Sequence, residues 1–298
     1  MDYRTRQIQS VTLWGAVCNL ALSAIKLAAG LLGRSSAMVA DAVHSLSDLV
    51  SDVVVLVFAH ISAKGKDKDH DYGHGKFETL ATTVVSLLLL VVAARMIASS
   101  VGQIRSALGG TPPSPPGMIA LVAAVVSIAV KEVLYQWTAR VGRKLSSSVM
   151  VANAWHHRSD ALSSVGSLVG IGGAILLGGR WTILDPLVGL AISVVIIVVA
   201  VRMSIPALAE LTDASLPEDV EQRITEVIEA VPGVEDVHEL KTRRCGHYSI
   251  AEVHMVVRPD MTIHEAHDIT VEAERRLHAE FGDDMQLTIH VEPSVDSL

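Results

Sequence analysis

The chain has 298 residues, of which 50% are hydrophobic and 19% charged, with a mean hydropathy of +0.42. This composition is too apolar for an ordinary soluble domain and indicates a membrane protein. From Asp213 onward, 20 acidic and 7 basic residues give a net charge of −13, whereas the preceding part has 12 acidic and 17 basic residues, net +5. We therefore expect a membrane domain over residues 1–212 and a water-soluble domain over residues 213–298, and no nucleic-acid partner.

Six apolar segments are each long enough to cross a hydrocarbon core, which takes about 20 helical residues. Clusters of Gly and Pro separate several of them. The short loops on one side contain nine Lys and Arg residues, against three on the other. We therefore expect a multi-pass protein of the cell (inner) membrane with both termini in the cytoplasm. The six segments lie near residues 9–32, 37–62, 78–104, 117–139, 149–177 and 184–206.

The acidic tail changes from helical to strand patterns along its length. Residues 217–230 and 262–281 have helical periodicity, and residues 237–241, 250–257 and 285–291 have the composition of strands. The order αββαβ predicts a small α+β domain with helices on one face of its sheet. The predicted fold is thus a membrane all-α bundle of six transmembrane helices, followed by this cytoplasmic α+β domain.

The pattern His-x-x-x-Asp occurs twice inside the apolar segments, as His44 with Asp48 and as His156 with Asp160. Residues four apart lie on the same face of a helix. A carboxylate in hydrocarbon costs roughly 2.5–3.5 kcal/mol, so two such pairs point to a positively charged ligand. Two imidazoles and two carboxylates match tetrahedral Zn²⁺. The alternative is that each pair is an interhelical hydrogen bond that stabilises helix packing.

Three further groups of ionisable residues accompany these pairs. Asp41 and Asp52 lie on roughly the same helix face as the first pair, where they could line an ion pathway or cap the span. Asp67-x-x-His70-x-x-x-His74, between the second and third spans, has a spacing that can close on one ion, although charged loops are usually only solvated. A composite metal site is also predicted in the tail, from His238, His254, His267, His290 and Glu292.

Four segments together resemble one known family, the cation diffusion facilitators, which are divalent-metal/proton antiporters. They are SSAMVADAVHSLSD in the second span, DYGHGKFE in the following loop, AWHHRSD at the start of the fifth span, and IHVEP near the end of the tail. The resemblance implies a homodimer in a lipid bilayer, with a metallochaperone-like cytoplasmic domain and protons as the counter-substrate. Zn²⁺ would be both cargo and regulatory ligand.

The resemblance also implies roles for individual residues. His44, Asp48, His156 and Asp160 match the transport site of the family. Asp67, His70 and His74 match a loop site of bacterial zinc exporters. The tail residues match a two-metal site, in which Glu292 replaces the more usual Asp. Lys76 and Asp213 match a salt bridge that ties the membrane and cytoplasmic parts together in such exporters.

One residue departs from the pattern of the bacterial zinc and iron exporters, which have Asp where this chain has His44. Imidazole ligands favour Zn²⁺, Co²⁺ or Ni²⁺ over Mn²⁺, and we therefore predict Zn²⁺ export, with Fe²⁺, Co²⁺, Ni²⁺, Cd²⁺ or Mn²⁺ as alternative cargoes.

An intramembrane metalloenzyme would usually need a Glu base, as in H-E-x-x-H, and the sequence has no such motif. A metal sensor that does not transport is the remaining alternative. The chain is thus predicted to be a carrier and not an enzyme.

Overall fold

The computed structural model describes residues 3–62, 64–144, 148–246, 248–282 and 285–294. Within these ranges, some side chains on the helices lie outside the description, including those of Asp52 and His156. The described chain forms two compact units, Met1–Val53 with Val85–Arg202, and Val54–Val84 with Met203–Leu298.

Within the described residues, six long helices precede the tail. Five of them contain stretches long and apolar enough to cross a membrane: Leu13–Leu32, Lys76–Leu108, Met118–Lys144, Asn153–Leu177 and Gly179–Leu211. The second helix carries three aspartates and is not among these five, so the sixth span stays a prediction. The helices are α1 (Tyr3–Leu32), α2 (Ser36–Ser62), α3 (Lys76–Leu108), α4 (Met118–Lys144), α5 (Ser148–Leu177) and α6 (Leu184–Leu211), with a short 3₁₀ helix at Gly179–Ile183.

Helix α2 begins at a buried carboxylate from α6. Asp185 accepts hydrogen bonds from the Ser35 hydroxyl at 2.5 Å and from the Ser36 backbone N–H at 2.6 Å. The Ser35 hydroxyl in turn accepts a hydrogen bond from the Met38 N–H at 3.0 Å. A carboxylate at a helix N-terminus satisfies free backbone donors and complements the helix dipole. This contact fixes the start of the helix that carries His44 and Asp48.

The tail folds in the predicted order αββαβ. Helix α8 begins at a capping box, in which the side chains of Thr262 and Glu265 each accept the other's backbone N–H. One hydrophobic core lies between the two helices and the sheet, and it includes Ile224, Met255 and Leu277, all fully buried. The elements are α7 (Glu218–Glu229), β1 (Val234–Cys245), β2 (Tyr248–Val257), α8 (Ile263–Phe281) and β3 (Met285–Pro293).

The sheet has the strand order β1-β2-β3, with β1 antiparallel and β3 parallel to β2. Along β2, Val253 and Met255 face the helices, so His254 between them lies on the opposite face. The register pairs His254 with His238 on one side and with His290 on the other. Three histidines from three strands therefore lie side by side on the face that the helices do not cover.

The second compact unit also includes the loop between α2 and α3, which contacts the turn between β1 and β2. The Tyr248 hydroxyl donates a hydrogen bond to the Tyr72 carbonyl. A Cβ added to Gly75 would lie 2.5 Å from the Cys245 carbonyl oxygen, so only glycine permits this approach. The loop that carries Asp67, His70 and His74 is thereby held next to the sheet.

Candidate metal-binding sites

The first His-x-x-x-Asp pair lies on α2. His44 Nε2 is 4.0 Å from Asp48 Oδ2, and each side chain is 24% exposed. Both groups thus point toward one partly open region, as the spacing of four residues predicts. In the second pair, on α5, Asp160 is buried, whereas the side chain of His156 lies outside the described residues.

Helices α2 and α5 are in direct contact and run antiparallel. The Ser167 hydroxyl is 3.4 Å from the Ala37 carbonyl oxygen, and the Ser164 hydroxyl donates to Asp41 Oδ2 at 2.9 Å. As the residue number rises along α2, the contacted residue number falls along α5. These two contacts define the register of the helices that carry the two pairs.

Two lysines that sequence reasoning did not single out are completely buried next to Asp41 and Asp160. Lys26 on α1 is 2.8 Å from Asp41 Oδ2, and Lys131 on α4 is 2.5 Å from Asp160 Oδ2. Ionisable residues inside membrane helices mark functional sites by default, so a Lys within the apolar part of each helix was the available signal. Asn19 on α1 also accepts a hydrogen bond from Lys131.

The structure places Asp41 in the protein interior. Its carboxylate accepts hydrogen bonds from Ser163 and Ser164 in addition to its ion pair with Lys26. The side chain of Asp52, its proposed companion, lies outside the described residues. A role of Asp41 and Asp52 in an ion pathway stays a prediction.

The loop residues Asp67, His70 and His74 converge. Asp67 Oδ1 is 3.3 Å from His70 Nδ1, Asp67 Oδ2 is 3.3 Å from His74 Nε2, and the two imidazole rings are 4.4 Å apart. The backbone N–H groups of Asp69 and His70 donate to Asp67 Oδ1, and these hydrogen bonds hold the pKa of the Asp67 carboxyl below its usual value. An ionised carboxylate between two imidazoles is a suitable first shell for a divalent metal.

A second three-residue cluster lies on the open face of the sheet. His254 Nδ1 is 2.9 Å from Glu292 Oε1, and His238 Nε2 is 3.4 Å from Glu292 Oε2. One ligand atom from each of these residues lies within 4.8 Å of the others. Among the described residues, this cluster and the loop cluster are the groups of three or more ligating side chains that converge in this way.

The other two predicted tail ligands differ in their location. The His290 ring is 4.7 Å from the His254 ring, and its Nε2 is 3.5 Å from Glu292 Oε1. His267 is exposed on α8, whose core-facing side packs on the opposite face of the sheet. The chain thus brings His290 next to the cluster, and it leaves His267 apart.

Sequence reasoning also missed Glu239, which contributes to the open face of the sheet. The register of β1 and β2 is irregular between His238 and Lys241, and Glu239 there has a φ of 50°. Glu239 Oε2 lies 3.8 Å from His254 Nε2. Since a bulge of this kind redirects a side chain, no periodicity in the sequence could have assigned Glu239 to this face.

The predicted salt bridge is present as a contact within the second compact unit. Lys76 Nζ at the start of α3 lies 2.6 Å from Asp213 Oδ1, just after α6. The Lys76 ammonium holds the pKa of the Asp213 carboxyl below its usual value. Arg243 on β1 is 4.0 Å from the other oxygen of the same carboxylate.

The apolar helices of spanning length define a multi-pass membrane protein. Its two converging clusters of His and carboxylate side chains indicate a protein that binds divalent metal. Comparison with known proteins gives its family. Residues 12–212 match the cation efflux transmembrane domain, and residues 216–294 match the cation efflux protein cytoplasmic domain. The chain belongs to the cation efflux family, the cation diffusion facilitators, whose members are transporters and not enzymes.

Named relatives cover most of the chain. It is 31% identical to the manganese efflux system protein MneP of Bacillus subtilis over 96% of both chains. It is 36% identical to metal tolerance protein C1 of Arabidopsis thaliana over 94% of its own length, and it spans 61% of that protein. The solved structure of CzrB in its Zn form is 41% identical, covers 29% of this chain and 98% of that chain, and has a TM-score of 0.26.

Proposed function

We propose that the chain exports Zn²⁺ by proton antiport with alternating access, through a transport site of His44, Asp48, His156 and Asp160. The observation that carries the proposal is the antiparallel register of α2 and α5 set by Ser164 and Ser167. If this register continues by one and two helical turns, His44 lies level with Asp160 and Asp48 level with His156. We infer that the two local pairs together supply one four-ligand set.

The chemistry of these ligands supports exchange of metal for protons. Neutral imidazoles and ionised carboxylates bind a divalent metal, and protons compete for the same atoms. An imidazole side chain has an unperturbed pKa of about 6.5, which lies close to the pH on either side of a cell membrane. Metal enters from the cytoplasm, the helices rearrange, and protons from outside displace the metal.

Manganese is the second candidate cargo, because the relative MneP is named for manganese efflux. Mn²⁺ prefers carboxylate, carbonyl and water ligands, whereas imidazole suits Zn²⁺. His44 and His156 would supply half of the ligands as imidazoles. We therefore favour Zn²⁺, and Co²⁺, Ni²⁺, Cd²⁺ and Fe²⁺ follow as weaker cargoes.

We infer a regulatory role for the tail site. The cytoplasmic domain family is named for dimerisation, and the three-histidine face of the sheet is open. Metal bound by His238, His254 and Glu292 would lower the negative charge of this face. Two protomers of a homodimer, with both termini in the cytoplasm, would then approach each other more closely.

The test uses the full chain in proteoliposomes under one proton gradient, with Zn²⁺, Mn²⁺, Co²⁺, Cd²⁺ and Fe²⁺ compared. Zn²⁺ should move fastest, and Asp48→Ala should abolish its flux. The exposed loop residue Asp69 supplies the control variant Asp69→Asn, which keeps the flux. Undiminished flux in Asp48→Ala would refute the proposed transport site. A wild-type chain that binds Zn²⁺ and carries none would be a sensor.

A further inference from the structure

The ammonium of Lys131 forms an ion pair with the Asp160 carboxylate, which the proposed function assigns to the metal. Lys131 is completely buried on α4, and its Nζ lies 2.5 Å from Asp160 Oδ2. A charge-assisted hydrogen bond between an ammonium and a carboxylate is among the strong ones. A divalent cation can take this oxygen only if the ammonium moves off it or shares it.

Lys131 also has a neutral partner that can hold its ammonium without Asp160. The Asn19 side-chain oxygen accepts a hydrogen bond from Nζ, and Asn19 is itself 6% exposed. A buried ammonium needs at least one partner to avoid a large desolvation cost. Asn19 therefore allows Lys131 to leave Asp160 and still remain hydrogen-bonded inside the membrane domain.

The second buried lysine differs in its partners. Lys26 contacts Asp41 at 2.8 Å, Ser164 at 2.9 Å and Ser45 at 3.2 Å, which uses its three ammonium hydrogens. None of these partners is a proposed ligand of the transport site. Lys26 thus neutralises Asp41 and makes no direct contact with a proposed ligand of the transport site.

We propose that Lys131 is a tethered counter-cation of the transport site, which neutralises Asp160 in the metal-free chain and competes with the cargo for it. This inference rests on the proposed function. With neutral imidazoles, two carboxylates give the site a charge of −2, and the Lys131 ammonium changes it to −1. The lysine lowers the affinity for a dication, and it returns to Asp160 when the metal leaves. Lys131 is therefore a positioning residue that acts through Asp160 and speeds release.

The experiment measures Zn²⁺ flux against Zn²⁺ concentration, with the full chain in proteoliposomes. Lys131→Met should lower the apparent KM by about tenfold or more and lower the maximal rate as well, since tighter binding slows release. Lys131→Arg keeps the cation and should restore both values to within about threefold of wild type. Arg105→Met, which removes an exposed cation in the last turn of α3, should leave the apparent KM within about threefold of wild type.

A second variant keeps the inference testable if Lys131→Met does not give a monodisperse protein. Asn19→Leu removes the neutral partner, confines the ammonium to Asp160, and should raise the apparent KM. Opposite shifts of the apparent KM in Lys131→Met and Asn19→Leu would support competition between Lys131 and the metal for Asp160. Loss of packing alone would not lower the apparent KM. An unchanged KM in Lys131→Met, with normal wild-type flux, would overturn this inference alone. Absence of wild-type flux would overturn the proposed function instead.

Discussion

Lys131 and Asp160 form an ion pair inside the membrane domain in which the lysine side chain has no exposed area and the aspartate has 6%. Removing one partner of a buried pair strands the other charge, whereas replacing both can be neutral or stabilising. The pair joins α4 to α5 as well as occupying a proposed ligand. Its contribution to folding and its contribution to transport can therefore be separated.

The effects of substituting Lys131 and Asp160 on the stability of the folded chain are expected to be strongly non-additive. Asp160→Asn should lower the free energy of unfolding by about 3–5 kcal/mol, because Lys131 is left buried without its carboxylate. The double variant Asp160→Asn with Lys131→Met should recover most of this loss. Apparent Tm values of the purified full chain in detergent measure both effects. Additive losses in the double variant would contradict a direct coupling between the two side chains.

Replacement of His44 should change the metal preference of the carrier. His44→Asp exchanges an imidazole for a carboxylate and should move the ratio of Zn²⁺ to Mn²⁺ flux toward Mn²⁺ by about tenfold. Transport assays with each metal alone and in competition give this ratio. His264→Asp, on the exposed surface of α8, is the matched control. An unaltered ratio would mean that His44 does not contact the cargo.

The loop cluster allows metal binding to be separated from loop folding. Asp67→Asn keeps an oxygen that can accept the N–H groups of Asp69 and His70 but removes the charge. The variant should fold normally and bind one metal ion fewer per chain than wild type. Metal content of the purified protein, measured by mass spectrometry, provides the count. Asp69→Asn should retain the full content, and equal content in all three proteins would exclude a loop site.

The cluster of His238, His254 and Glu292 in the tail should stabilise the chain when it binds metal. At 100 times its Kd, one bound ligand adds about 2.7 kcal/mol to the stability of the folded state. His254→Ala should therefore lose part of the rise in Tm that Zn²⁺ produces. His264→Ala changes an exposed histidine outside the cluster and should keep the whole rise. Identical rises in both variants would show that His254 is not a ligand.

Acidification should weaken the contact between Lys76 and Asp213. The ammonium lowers the pKa of the Asp213 carboxyl, so the pair stabilises the folded chain above the unfolded value of about 3.9. This stability is lost as the pH falls through the lowered folded pKa. Because both side chains are partly exposed, Asp213→Asn should cost about 1 kcal/mol or less at pH 7.

The difference in Tm between wild type and Asp213→Asn should accordingly shrink as the pH falls below the unfolded value of about 3.9. Thermal melts of the full chain at fixed salt between pH 7 and pH 3 provide this comparison. A difference that grows on acidification would have the wrong sign for a carboxyl with a lowered pKa. It would show that Asp213 stabilises the chain by another interaction.

Local patterns in the sequence were sufficient for the element order and for the first His-x-x-x-Asp pair. Hydrophobic length predicted the long helices, and alternation predicted the three strands of the tail. The spacing of four residues placed His44 and Asp48 on one helix face, because helix geometry depends only on neighbours in the chain.

Contacts between elements were decided only by the tertiary structure. The strand register that joins His238, His254 and His290 across the sheet depends on pairings remote in sequence. The partners of Lys26 and Lys131 lie on other helices, so no periodicity within α1 or α4 could identify them. The sequence by itself thus determined which residues can bind metal. The packing of helices and strands decided which of them meet, because a buried charge must find its partner in space and not along the chain.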